Sequence, residues 1–109
     1  MTELINLTPH PITIQPTGAP PVTIPVSGRI ARLDSSQETD ASVVGVPVVT
    51  TRFGRVIGLP EPEPGKLYIV SSLVAQHVRR PDVLAPDTGP TAIRQDGQIV
   101  AVTRLQRFV

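Results

Sequence analysis

Asp87, Thr88 and Gly89 form the tripeptide with the clearest chemical meaning in this chain. In a loop of that spelling a carboxylate can meet its mate across a twofold axis, share a proton with it and activate water for peptide hydrolysis. Such chemistry requires a homodimer in which two Asp87 side chains meet. The neighbours oppose it: Pro86 stands where a bulky strand residue is wanted, and Pro90 where a small residue would carry the loop onward. Two other readings suit the segment. A loop bracketed by prolines would present the Asp87 carboxylate and the Thr88 hydroxyl to a ligand with little entropy lost, while Gly89 lets that ligand approach the backbone. Alternatively the segment is a turn in which Asp87 accepts N–H bonds from Gly89 and Thr91.

Two further groupings offer polar chemistry. Asn6, Thr8 and His10 alternate with Leu7 and Pro9. In an extended segment their amide, hydroxyl and imidazole share one face and could line a pocket. The structural reading is that Asn6 and Thr8 bond the local backbone to fix a turn while His10, between Pro9 and Pro11, pins a loop. Thr50, Thr51 and Arg52 stand before Phe53 and Gly54, two hydroxyls and a guanidinium able to hold a phosphate with an aromatic ring nearby. Thr is equally a good strand residue, and Arg52 an exposed partner for an acid.

The elements that must position these residues are short. Thirteen Pro and eight Gly cut the chain into pieces carrying Val, Ile and Thr at alternating positions, the pattern of strands. The expected strands are 4–7, 12–14, 22–26, 29–33, 46–51, 55–58, 67–70, 91–94 and 99–104, with a tight turn at Ser27 and Gly28. Asp96–Gly97 separates two alternating runs and is the strongest hairpin signal. One helix is expected over about residues 72–80, capped by Ser71 or Ser72, closed by Arg79 and Arg80 and stopped by Pro81. Leu73, Val74 and Val78 should face the core, and Gln76 and Arg80 solvent or a ligand. Asp34 to Ser42 holds no apolar residue before Ala41 and reads as a mobile loop. Glu61 to Gly65 reads as a stiff extended connector. The expected fold is mainly β, a single small domain over 1–109 built as a strongly bent sheet or open barrel of short strands with one short helix.

Composition removes several classes of function. There is no Cys, and His10 and His77 are the only imidazoles, so thiol chemistry is excluded and neither a metal nor a cofactor is expected. The net charge is +1 and only Phe53, Tyr68 and Phe108 could stack on bases, which disfavours bulk nucleic-acid binding. The first residues carry Glu3 and no basic region ahead of a long apolar stretch, and no apolar run is long enough for a membrane span. A cytoplasmic protein is therefore expected. Nine of the ten basic residues are Arg, suited to bidentate anion recognition but also the signature of a GC-rich genome.

The run Ile5, Asn6, Leu7, Thr8, Pro9, His10, the run Thr51, Arg52, Phe53, Gly54, and the run Leu67, Tyr68, Ile69, Val70, Ser71 followed by Leu73, Val74, Ala75 resemble a group of small proteins of phages, prophages and bacterial genomes. The resemblance implies a phage or mobile-element origin and no particular function. No nucleophile, base and orienter combination stands elsewhere in the chain. The leading expectation is accordingly a non-enzymatic protein that captures a small anionic, nucleotide-like ligand, such as a host defence signal, in a pocket between copies of a homo-oligomer. The alternatives are a structural or adaptor protein that binds a virion or host protein, and a retropepsin-like aspartic protease acting through Asp87, Thr88 and Gly89.

Overall fold

Two nearly unbroken apolar runs set the centre of the molecule. Leu67, Tyr68, Ile69, Val70 and Val83, Leu84, Ala85 have no polar alternation, as expected of parallel strands covered on both faces. The computed structural model describes residues 2–109, with the backbone alone described at 40–42. In chain order the elements are β1 (Glu3–Asn6), β2 (Ile12–Ile14), β3 (Val22–Ile24), β4 (Arg32–Val43), β5 (Val46–Ile57), β6 (Lys66–Ile69), α1 (Ser72–Val78), β7 (Val83–Pro86), β8 (Ile93–Gln95), β9 (Gln98–Ala101) and β10 (Leu105–Arg107). The chain is a single small domain, mainly β with one short helix, and its sheets do not close into a barrel.

The central sheet has the order β1-β6-β7-β10. β6 pairs in parallel with both β1 and β7, and β10 closes the far edge antiparallel to β7. Its core gathers Leu7, Ala31, Tyr68, Val70, Val74, Ala75, Val83 and Ala85, each at most 5% exposed, with Ile5, Leu33, Val56, Leu59, Val78 and Phe108 around them. The other three sheets are the two-stranded pairs β2-β3, β4-β5 and β8-β9. The β2-β3 hairpin is stitched to the end of β9 by reciprocal bonds, Gln15 N to Val102 O at 2.7 Å and Val102 N to Thr13 O at 3.0 Å. In the β8-β9 turn Asp96 and Gly97 both take positive φ, 53° and 79°, the conformation that an Asp-Gly hairpin requires.

The helix follows its sequence signals at the start and stops early. Ser71 is the N-cap, its Oγ accepting Val74 N at 3.4 Å. Arg79 turns left-handed at φ 54° and ends the helix at Val78, before the expected residue 80. Val74, Ala75 and Val78 share the inward stripe, whereas Leu73 lies on nearly the opposite side at 100° per residue and is half exposed. The expectation that Leu73 faces the core is corrected. Arg80 is corrected too: its Nε and Nη2 donate to Asp82 Oδ1 at 2.9 Å and Oδ2 at 2.6 Å, and its Nη1 to Pro60 O at 3.1 Å. It ties the end of the helix to the connector after β5 instead of meeting solvent or a ligand.

The largest departure is at Asp34 to Ser42. This polar run is no loop but most of β4, a twelve-residue strand that pairs antiparallel with the twelve residues of β5. The two strands expected at 46–51 and 55–58 are one strand, with the register irregular where Asp34 passes Gly54 and Arg55. At about 3.3 Å per residue the ribbon is ~40 Å long. Only its base, through Leu33 and Val56, joins the core. A compact chain of this length has a radius of gyration of about 13 Å, and here it is 16.6 Å. The ribbon is an arm.

Candidate functional site

Asn6 ends β1 at 1% exposure, and its amide is fully engaged. Nδ2 donates to His10 O at 2.8 Å and to Ile24 O at 3.1 Å, while Oδ1 accepts from Thr8 N at 2.9 Å and lies 2.6 Å from Thr8 Oγ1. The chain bends sharply after Leu7, so Asn6, Thr8 and His10 do not share an extended face. Asn6 instead holds the bend from inside, as the turn-fixing reading of these residues expects. Thr8 and His10, on the loop it holds, line a cavity.

That cavity has a volume of about 470 Å³. Thr8 to Thr13 form one wall, Ser71 and Ser72 at the start of α1 a second, and Ile99 to Val102 of β9 and its end the third, with Pro86 and Thr88 at the rim. The lining is largely apolar, through Pro9, Pro11, Ile12, Ile99, Val100, Ala101 and Val102. Its polar groups divide into two sets. Thr8, Thr13 and Ser71 are occupied, Thr13 Oγ1 lying 3.1 Å from Thr23 Oγ1. Among the described residues, the His10 ring and the Ser72 and Thr88 hydroxyls are not engaged in hydrogen bonds within the chain. A concave apolar surface with a few convergent uncommitted polar groups is the usual form of a small-molecule site.

Asp87 borders this cavity but does not serve it. The β7-β10 register, Pro86 opposite Leu105, sets Asp87 opposite Arg104, and Asp87 N donates to Arg104 O at 3.1 Å. Arg104 Nε in turn donates to Asp87 Oδ2 at 2.7 Å, and Gly89 N to Oδ1 at 3.0 Å. The bond from Arg104, then that from Gly89, holds the carboxyl below the usual carboxylate range. A carboxylate kept ionised by its own chain is the opposite of the proton-sharing pair that aspartic protease chemistry needs. Gly89 is bare for a related reason: a Cβ there would stand 3.1 Å from Asp87 Oδ1. Arg94 completes the loop by donating to Thr88 O at 3.0 Å and Gly89 O at 3.3 Å. The turn reading describes this segment in its Gly89 bond, while the second oxygen of Asp87 accepts from Arg104 and not from the expected Thr91 N.

Thr51, Arg52 and Phe53 lie on the arm, away from the cavity. Strand alternation separates them, since Thr51 and Phe53 pair with Gln37 and Ser35 on one face while Arg52 pairs with Ser36 on the other. Gln37 Nε2 donates to Thr51 Oγ1 at 3.2 Å across the strands. Alternation thus leaves Thr50 beside Arg52 on one face and Thr51 beside Phe53 on the other. Of the candidate residues, the structure brings together Thr8, His10 and Thr88. The sequence reading missed Ser72 and the Ile99–Val102 wall. The Ser-Ser pair at the helix start was the available signal for the first, and the alternation after Asp96–Gly97 for the second.

Compared with known protein families, curated proteins and solved structures, the chain matches none of them. No helix among the described residues is long and apolar enough to cross a membrane. No group of three or more His, Asp or Glu side chains among them could hold a metal ion.

The two acid-base clasps carry a pH prediction. The bond from Arg80 lowers the Asp82 pKa as the bond from Arg104 lowers that of Asp87. Carboxyls depressed on folding stabilise the native state above their unfolded pKa, about 3.9, and lose that contribution as pH falls through the folded value. The thermal midpoint should hold steady between about pH 7 and 5 and fall below about pH 4. Asp87→Asn should lower the neutral-pH midpoint and flatten the acid limb. An acid limb of unchanged slope would mean that the clasp contributes nothing.

Proposed function

We propose that this chain is a non-enzymatic binding protein and that the cavity between the Thr8–Thr13 loop, the start of α1 and β9 receives a small ligand. The observation that supports this reading most strongly is the set of uncommitted polar groups, His10, Ser72 and Thr88, around an apolar wall of Pro9, Pro11, Ile12 and Ile99–Val102. The chemistry narrows the class of ligand. No Arg or Lys lines the cavity, so a polyphosphate would lose hydration without gaining a countercharge. A planar or apolar body with a few hydroxyls and at most one anionic group fits better, which within nucleotide chemistry means a nucleoside or a cyclic mononucleotide. Such a protein would act in the cytoplasm by sequestration, in keeping with the phage or mobile-element origin that the resemblance implies. A structural or adaptor role draws on a different observation, the projecting arm.

Thermal unfolding against nucleosides, cyclic and linear mononucleotides and triphosphates tests the proposal. A ligand at a hundred times its Kd should stabilise the fold by about 2.7 kcal/mol, raising the midpoint by about 10 °C. Nucleosides or cyclic mononucleotides should act and triphosphates should not, and His10→Ala or Thr88→Val should weaken the shift. The nucleotide reading ends if no member of the panel moves the midpoint at about 1 mM, where even a weak site with a Kd near 100 µM would show.

A further inference from the structure

The arm is unusual in standing alone. Isolated two-stranded ribbons are at best marginally stable in water, and strands gain independent stability by packing a face or adding a strand. Here β4 and β5 make a sheet of their own, and their two faces differ. Ser35 with Phe53, Gln37 with Thr51 and Thr39 with Val49 are the cross-strand pairs of one face, and none of these six side chains is charged. The other face carries Ser36 with Arg52 and Glu38 with Thr50, so Glu38 and Arg52 are diagonal neighbours of opposite charge. That second face carries the charges and exposes one apolar side chain, Val48 at 39%; the first has no charge and exposes two, Phe53 and Val49, each at 50%.

We propose that the uncharged face of the arm packs against the same face of a second copy of this chain. Three observations favour a second copy over a foreign partner. The face has no charge to repel its own image or to select an oppositely charged protein. Its hydroxyl and amide groups, on Ser35, Gln37, Thr39 and Thr51, both donate and accept, so they complement themselves. Its two apolar residues lie at opposite ends, Phe53 nearer the core and Val49 nearer the tip, with the Gln37 and Thr51 pair between them. A twofold axis through that middle pair sets the Phe53 end of each arm over the Val49 end of the other, an isologous contact that closes at two copies. Stacked ribbon faces of this length cover on the order of 600 Å² per copy, near the lower bound of specific interfaces, so the dimer is weak and concentration-dependent. The contact involves no lining residue of the cavity and stands or falls independently of the ligand.

The adjacent serines on β4 supply the test, because alternation sends them to opposite faces. Ser35→Glu places a charge beside Phe53 on the uncharged face, and Ser36→Glu places the same charge opposite Arg52. Sedimentation equilibrium from about 1 to about 300 µM, the range a small interface demands, should show the parent moving from the mass of one chain to that of two. Ser36→Glu should follow the parent, and Ser35→Glu should stay monomeric with an unchanged circular dichroism spectrum. Phe53→Ala should shift the dissociation midpoint at least tenfold. A parent that is monomeric throughout, or two glutamate variants that behave alike, overturns the proposal.

Discussion

Asn6→Ala is expected to destabilise the fold by about 3 kcal/mol and to lower the thermal midpoint by more than 10 °C. The amide is buried at 1% exposure and bonds three different residues, Thr8, His10 and Ile24. Truncation leaves the His10 and Ile24 carbonyls without these donors and the Thr8 N–H without this acceptor, at about 1–3 kcal/mol for each group that stays buried and unsatisfied. Asn6→Asp discriminates the cause. It keeps the acceptor facing Thr8 but turns an anionic oxygen toward two carbonyls, and so should be no better than alanine. Thr8→Val, which removes one hydroxyl, should cost only about 1 kcal/mol. An Asn6→Ala protein within about 0.5 kcal/mol of the parent in urea unfolding would show that water replaces the amide and that the bend needs no internal clasp.

Gly58→Ala should be similarly damaging, through the backbone. Gly58 follows β5 at φ +85°, and a Cβ built there would lie 2.5 Å from the carbonyl oxygen of Ile30. No rotamer change relieves a contact with backbone, so the end of β5 must shift away from the segment that leads into Ala31 and the core. Positive φ and the displacement together should cost about 2–4 kcal/mol. Gly45→Ala is the matched control. At the arm tip, with φ +74° and no atom within 4 Å of the new Cβ, only the conformational cost of about 1–2 kcal/mol applies. Equal losses at both glycines, measured by chemical unfolding, would mean that the Ile30 contact relaxes freely.

What the sequence disclosed and what it concealed follow from how local each signal is. Asp96–Gly97 needs two consecutive positive φ values, which few dipeptides supply, and so its hairpin was legible. Ser71 caps the start of the helix through equally local chemistry, while its end, at the left-handed Arg79, comes before the stop that Pro81 signalled. The arm was not legible, because a strand exposed on both faces needs no hydrophobic alternation, and β-propensity mostly reports packing against neighbours. Asp34 to Ser42 thus looked like a loop, although Val44 and Gly45, with φ 52° and 74°, form its turn. The central sheet was concealed for another reason: its parallel pairing joins β1 to a strand roughly sixty residues later. In the site, the polar character of Thr8, His10 and Thr88 was visible, but their convergence depends on Asn6, whose role is internal. Asp87 drew attention as a catalytic spelling because its partner Arg104 lies on the far side of the β8-β9 hairpin.

The arm also bears on how the chain reaches its native state. It lies inside the long loop that must close before β1 can meet β6, and closure entropy rises only with the logarithm of loop length. Removing about twenty arm residues from a loop of about sixty would change that cost by only about 0.4 kcal/mol. The three hairpins between neighbours in the chain can form early, and the search for the distant parallel partner proceeds almost as if the arm were absent. Arm length is therefore nearly neutral for the globule. Insertions and deletions there can alter the reach of the molecule over many variants while the core and the cavity stay as they are.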